Sequence, residues 1–284
     1  MSVLRKRLGD TVIQRYLSRI GEVMRYAVKA QDPRATLNMA VLGFARGHPF
    51  SGAGCVSRLG RRLYPELIVR ASLFHGLSLH LDPADVSHLV IAEEFIVANV
   101  YRLGMLQFQP EAVLDCGAHI GMFTLQAAGH FPGVRMMSFE PDESNLHWLR
   151  RQVDDNGLMV DVVPSAVTIT TGEAWFAPSS SCGGALATRS IQADSVVVST
   201  VRLADVISRL NVQRLLLKID IEGEEVALLP DIVGVLPRTC AIFLETHHGE
   251  SGWREAASLL EDNAFVTSVI RQRGLFTDGS AIRR

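Results

Sequence analysis

The sequence predicts an α/β fold: a doubly wound, mostly parallel sheet of seven strands, preceded by a helical N-terminal extension. Three observations carry this. From about residue 112 onward, short apolar runs alternate with amphipathic stretches, the pattern of strands alternating with crossover helices. The first run, Val113-Leu114-Asp115-Cys116, opens into Gly117-Ala118-His119-Ile120-Gly121 and then an apolar helix start. The runs also end on polar residues, Asp115, Glu140, Ser165, Asp220 and Glu245. Such sheets bind ligands at the carboxyl ends of their strands.

Each element follows from its residues. Leu4, Leu8, Val12, Tyr16, Ile20, Val23 and Ala27 recur at helical spacing, so residues 3–29 read as one amphipathic helix. Asp32-Pro33 is an N-cap followed by proline at the first helical position, which starts a second helix running to about Ala45. A turn-rich loop over 47–54 and a short helix over 55–64 complete an extension at residues 1–70. It would serve as a cap, a lid or a dimerisation arm, with the catalytic domain at 71–284. Residues 66–82 read as a hairpin turning at His75-Gly76, and 85–103 as an apolar helix carrying Glu93 and Glu94.

After the glycine turn comes a second strand, Val134 to Phe139, closed by Glu140-Pro141. A helix from Glu143 to Asn156 ends at Gly157, and Val160 to Val163 is the third strand. Residues 167–200 alternate and turn as an antiparallel excursion. Leu203 to Leu210 is a helix. Arg214 to Asp220 is the fourth strand, apolar enough for burial on both faces. A helix from Glu224 to Leu229 stops at Pro230. The fifth strand, Thr239 to Leu244, leads into Glu245-Thr246-His247-His248. A helix over Gly252 to Asn263 and a hairpin of Phe265 to Ile270 with Gly274 to Thr277 close the chain, placing one antiparallel strand in the sheet.

With 284 residues, about half of them apolar, the chain can bury a sizeable core. Basic residues outnumber acidic ones over residues 1–75, and the balance reverses afterwards, leaving a net charge of −2. Cys55, Cys116, Cys182 and Cys240 form no CxxC pair, which reads as reduced thiols and argues against zinc. No apolar run spans a membrane and no signal-peptide core appears, so a cytoplasmic location is expected.

The glycine turn suits a nucleoside cofactor, because glycines let backbone approach a ligand and the helix start offers amides. Glu140, at the second strand's end, can accept both hydroxyls of a ribose. A dinucleotide site wants three glycines to admit a pyrophosphate. Here Asp115 precedes only two, Gly117 and Gly121. A carboxylate repels pyrophosphate but favours the cationic sulfonium end of S-adenosylmethionine (SAM), directly or through water.

The stretch from Val113 to Phe123 resembles the Rossmann-like class I methyltransferases. Lys218-Ile219-Asp220-Ile221-Glu222-Gly223-Glu224-Glu225 is similar to the K-I-D-x-E-G-x-E signature of the FkbM-type methyltransferases, as are Phe139-Glu140-Pro141 and Glu245-Thr246-His247. The resemblance covers about residues 75–280. It departs at His119, where that family commonly has asparagine. It implies methyl transfer from SAM, mostly to a hydroxyl of a sugar, polyketide or other natural product. It further implies a SAM site lined by Asp115, Gly117, Ala118, His119, Gly121, Glu140, Pro141, Asn145, Ser165 and Ala166.

Methyl transfer is a direct displacement in which the enzyme aligns the partners and can remove the hydroxyl proton. Candidates to take it are His247, Asp220 and Glu245, with His247 first because imidazole titrates near neutrality. Lys218, on so apolar a strand, needs a carboxylate partner among Asp220, Glu222 and Glu245. It either fixes the floor of the site or acts in catalysis. An alternative use of Asp220, Glu245 and His247 is to hold Mg²⁺, although Lys218 would compete with it.

The expected acceptor is a small hydroxylated molecule. A nucleic-acid acceptor would use the basic arm, but no [DN]-P-P-[YFW] follows the fourth strand and no Pro-Cys nucleophile appears. A non-catalytic SAM-binding protein is a second alternative. The helix over 3–29 is the expected contact for a homo-oligomer.

Overall fold

The computed structural model describes residues 67–69, 74–82, 85–92, 95–96, 99–178, 185–186, 194–273 and 276–283. They fall into two compact units divided between Asn99 and Val100. The expected helices over 3–64, and the oligomer contact placed on the first of them, lie outside the described residues.

In the first unit, β1 (Leu67–Val69) pairs antiparallel with β2 (Leu79–Leu81). His75 and Gly76 between them take left-handed backbone, φ 51° and 97°, as the expected turn requires. Helix α1 covers Val86–Ala92. The helix expected over 85–103 does not run to its end, because Asn99 (φ 46°) and Arg102 (φ 44°) are left-handed and a right-handed helix cannot pass through such residues.

The second unit holds the seven-stranded sheet. Its strands are β3 (Ala112–Cys116), β4 (Arg135–Phe139), β5 (Val160–Val163), β10 (Arg214–Ile219), β11 (Thr239–Thr246), β12 (Val266–Arg273) and β13 (Phe276–Arg283). They lie in the order β12-β13-β11-β10-β3-β4-β5. Neighbours from β11 to β5 pair in parallel. β13 is antiparallel to both β11 and β12, so it is the one reversed strand in the sheet. The crossover helices are α2 (Met122–His130), α3 (Glu143–Asp155), α4 (Leu203–Leu210), α5 (Glu225–Ile232) and α6 (Gly249–Asp262).

Side chains alternate across the sheet. Leu114, Cys116, Leu215, Leu217, Ile219, Cys240, Ile242 and Leu244 share one core with α4, α5 and α6. On the opposite face, Phe243 meets Tyr101 and Phe123 of α2 edge-on, with ring centroids 5.2 and 6.4 Å away. A sheet covered on both faces explains the apolar strands. Cys116 and Cys240 are buried, free thiols.

Several boundaries differ from the sequence reading. Pro230 lies inside α5 rather than ending it. α6 starts at Gly249, three residues early, and β13 extends to Arg283. The excursion is a second, four-stranded sheet of β6 (Ala166–Thr168), β7 (Gly172–Ala177), β8 (Ala185–Leu186) and β9 (Val196–Arg202), ordered β6-β9-β7-β8. It is not wholly antiparallel, because β6 and β9 run parallel. Among the described residues no helix is long and apolar enough to cross a membrane.

Candidate active site

The site is built on a row of polar residues that the parallel register sets side by side. Ser138 of β4, Asp115 of β3 and Lys218 of β10 are direct neighbours across three strands. All three are buried. Thr124, one turn into α2, donates its hydroxyl to Asp115 Oδ2 at 2.7 Å and lies 2.7 Å from Ser138 Oγ. Lys218 Nζ is 3.5 Å from Asp115 Oδ1 and 3.3 Å from Asp220 Oδ2, and donates to the Gly117 carbonyl at 2.5 Å. Burial opposes the Lys218 charge, but the Asp220 and Asp115 carboxylates outweigh it and push its pKa above the usual lysine value. Burial likewise raises the Asp115 carboxyl, against the pull of Lys218 and Thr124. Lys218 is therefore a permanently charged strut between the glycine turn and the carboxyl end of β10.

The glycine turn is folded on its own backbone. The amides of Gly117 and Ala118 donate to the Phe139 carbonyl at 3.0 and 2.8 Å. Gly117 (φ 78°) presses against β10's end, where a Cβ would sit 1.8 Å from the Asp220 carbonyl oxygen. Gly121 (φ 88°) starts α2 over Leu149, which a Cβ would approach to 2.7 Å. Ala118 is buried against Leu146 and Leu149 of α3.

His119 acts through its backbone: it is left-handed (φ 51°), and its amide donates to Glu140 Oε2 at 2.7 Å. A left-handed position favours asparagine, which accounts for the residue expected there by resemblance. Glu140 Oε1 accepts from the Asp142 amide (2.9 Å) and Asn145 Nδ2 (3.3 Å). Asn145 and His119 thus aim the Glu140 carboxylate, and Asp142 also caps α3. Burial lifts Glu140 to about 7, although its hydrogen bonds oppose the rise. Pro141 lies between Glu140 and this cap. Ser165 and Ala166 are buried where β5 passes into β6.

A second cluster lies at the ends of β10 and β11. His247 Nδ1 is 2.8 Å from Glu225 Oε1, and Nε2 is 3.1 Å from Glu222 Oε2. Asp220 Oδ1 and Glu245 Oε1 are each 3.9 Å from Nε2. Burial opposes the imidazolium, but the hydrogen bonds it donates to Glu222 and Glu225 raise His247 to about 11. This corrects the expectation of an imidazole titrating near neutrality: with both nitrogens on carboxylates, the ring is a cation. Burial, Asp220 and a hydrogen bond with Asp278 push Glu245 up to about 10, favouring its protonated form. His248 is exposed and bonds the Gly223 carbonyl at 2.8 Å.

The structure therefore gathers the sequence candidates into two adjoining groups, with Asp220 belonging to both. In the sequence Glu225 reads only as a letter of a motif, yet it is wholly buried and central. Thr124, Ser138 and Asp278 carried no signal, because only the register brings them in. The alternative Mg²⁺ set of Asp220, Glu245 and His247 changes membership, since the atoms within 4.8 Å of one another belong to Asp220, Glu225 and His247. These carboxylates already face Lys218 and an imidazolium, which supply their positive charge.

The family model described as the methyltransferase FkbM domain matches residues 115–274, more than half of the chain. The chain belongs to the FkbM methyltransferase family. No curated protein sequence matches it significantly. Among solved structures it is similar to a methyltransferase FkbM from Methylobacillus flagellatus KT at 17% identity and TM-score 0.43, covering 93% of this chain and 59% of that one. It is also similar to a precorrin-6y C5,15-methyltransferase from Geobacter metallireducens GS-15, at 15% identity and TM-score 0.42 over 66% and 87% of the two chains. A third is M. jannaschii TYW2 in complex with AdoMet, at 13% identity and TM-score 0.45 over 77% and 85%. Similarity this distant carries no argument about substrate; membership in the FkbM family rests on the match over 115–274.

Proposed function

We propose that this FkbM-family methyltransferase moves a methyl group from SAM to a hydroxyl oxygen of a small molecule. The observation that carries the reading is the pairing of an aimed, buried Glu140 with a carboxylate-rich floor beside the glycine turn. Asp115 Oδ1 is buried and faces Lys218 Nζ at 3.5 Å. That donor set fits SAM: Glu140 suits two ribose hydroxyls, and Asp115 and Asp220 suit a sulfonium and an ammonium. SAM, when bound, supplies the electrophilic methyl group.

The residues that would hold it are Asp115, Gly117, Ala118, His119, Gly121, Glu140, Pro141, Asn145, Ser165 and Ala166. Asp115 is fully buried, so its part is electrostatic and passes through Lys218 and the turn. Lys218 fixes the floor of the site and is too strongly protonated to act as a base.

At the far end, His247 takes the acceptor's proton. Glu222 is part-exposed, whereas Glu225 is wholly buried. An arriving hydroxyl displaces Glu222 from Nε2, Glu222 leaves as the carboxylic acid with the Nε2 proton, and Glu225 keeps the proton on Nδ1. Losing one carboxylate lowers the ring's proton affinity, and Nε2 can then accept. Asp220 and Glu245 flank that nitrogen and orient the hydroxyl. A small acceptor is favoured over a nucleic acid because the Asp220 and Glu222 carboxylates would repel a phosphate backbone.

Calorimetry with SAM, followed by transfer of labelled methyl to a panel of hydroxylated acceptors, tests the reading. Heat of binding at one site per chain and label in an ether product support it. Absence of SAM binding ends it.

A further inference from the structure

We infer that Glu225 is a positioning residue for methyl transfer, acting through His247; the inference rests on the reading that His247 Nε2 faces the acceptor. Glu225 is the first residue of α5 and is 0% exposed. A buried carboxylate needs compensating donors. Glu225 Oε1 collects three: the Ile221 amide at 3.2 Å, the Gly223 amide at 2.9 Å and His247 Nδ1 at 2.8 Å. Its other oxygen, Oε2, is buried without a partner.

One atom therefore does two things. It folds the 220–223 turn back on the helix start, and it orients an imidazole that arrives from the neighbouring strand. The turn needs such an anchor, because Glu222 (φ 60°) and Gly223 (φ 108°) are both left-handed. A left-handed glutamate costs free energy that the surroundings must offset. The same turn carries Asp220, whose carbonyl packs on Gly117. Glu225 thus sets the place of Asp220 and Glu222 and the rotation of His247 together.

The chemistry follows from which nitrogen it holds. The hydrogen bond made by one ring nitrogen decides what the other presents. With Nδ1–H on Glu225, the nitrogen that can lose its proton is Nε2, the one facing Glu222, Asp220 and Glu245. Without the Glu225 charge the ring is free to rotate or to change tautomer. The spacing of the motif has the same cause: a carboxylate two residues after Gly223 and four after Ile221 reaches both amides from the first turn of a helix.

The test is heteronuclear NMR of the His247 ring in the whole chain, with calorimetry of SAM on the same samples. In the wild type we expect a His247 Nδ1–H resonance protected from exchange and a ring that stays doubly protonated through neutral pH. Glu225→Gln keeps an oxygen for the Ile221 and Gly223 amides but removes the charge. We expect it to weaken the exchange protection of that resonance and to lower the ring's proton affinity at least about tenfold, one pKa unit, while SAM affinity is retained. A wild-type His247 ring that exchanges freely, or a Glu225→Gln ring unchanged from wild type, overturns the inference. The wild-type arm holds even if the variant does not fold. Loss of SAM binding in the wild type would instead overturn the cofactor reading and leave the pair between His247 and Glu225 standing.

Discussion

A Cβ on Gly117 would lie 1.8 Å from the carbonyl oxygen of Asp220 and 2.9 Å from its carbonyl carbon. Two turns that are far apart in sequence, after β3 and after β10, touch backbone to backbone. In the proposed reading, the contact joins the cofactor side of the site to the acceptor side. Backbone cannot swing away as a side chain can, and Gly117 is also left-handed. Gly117→Ala is therefore expected to destabilise the chain by about 2 kcal/mol or more and to weaken SAM binding more than about tenfold. Thermal unfolding and calorimetry on one preparation check both. A wild-type affinity would mean that the two turns do not need each other.

Lys218 and Asp115 are register partners, and neither is more than 4% exposed. Removing one member of such a pair strands the other charge. Lys218→Met should cost about 3–5 kcal/mol in urea unfolding. Adding Asp115→Asn to Lys218→Met should recover part of that loss, since no buried charge is then stranded. If the double variant is less stable than Lys218→Met alone, the pairing is not what holds this row.

Glu140 predicts a pH dependence. Its folded-state pKa of about 7 is above the ordinary 4.5, so the folded chain binds the extra proton in that window. Its contribution to stability is complete below pH 4.5 and is lost as pH rises through 7. SAM binding has the opposite sign, because an ionised carboxylate is the better acceptor for ribose hydroxyls. Affinity should rise as pH passes through about 7, and Glu140→Gln should flatten that rise. An affinity independent of pH in the wild type would show that Glu140 does not meet the ribose.

For His247→Ala, turnover should be lost with SAM affinity retained. The substitution leaves Glu222 and Glu225 without the cation between them, so a modest loss of thermal stability should accompany it. Single-turnover methyl transfer beside calorimetry separates the two effects. Unchanged turnover would reduce His247 to a structural cation.

Much of this was legible in the sequence because the signals were local. Val113 to Gly121 reads as strand and turn from its own residues, and Leu203–Leu210 is a helix with the expected limits. What could not be read depends on register. Nothing in the spacing of Ser138, Asp115 and Lys218 says that they stand side by side, nor that Thr124 reaches the first two. His247 was found as a residue type, but its charge state comes from Glu222 and Glu225, which the chain brings from another strand's end. Asn99 and Arg102 ended a helix whose apolar pattern continued, because periodicity does not report a left-handed φ. Glu93 and Glu94 lie outside the described residues.

The central claim is that Glu140 and the glycine turn hold SAM, and titration calorimetry of SAM into the wild type and Glu140→Ala at pH 8 tests it most directly. One site per chain in the wild type, weakened at least about tenfold in the variant by loss of charged hydrogen bonds, is the predicted result. Equal affinity in both proteins, or no binding to the wild type, would contradict it.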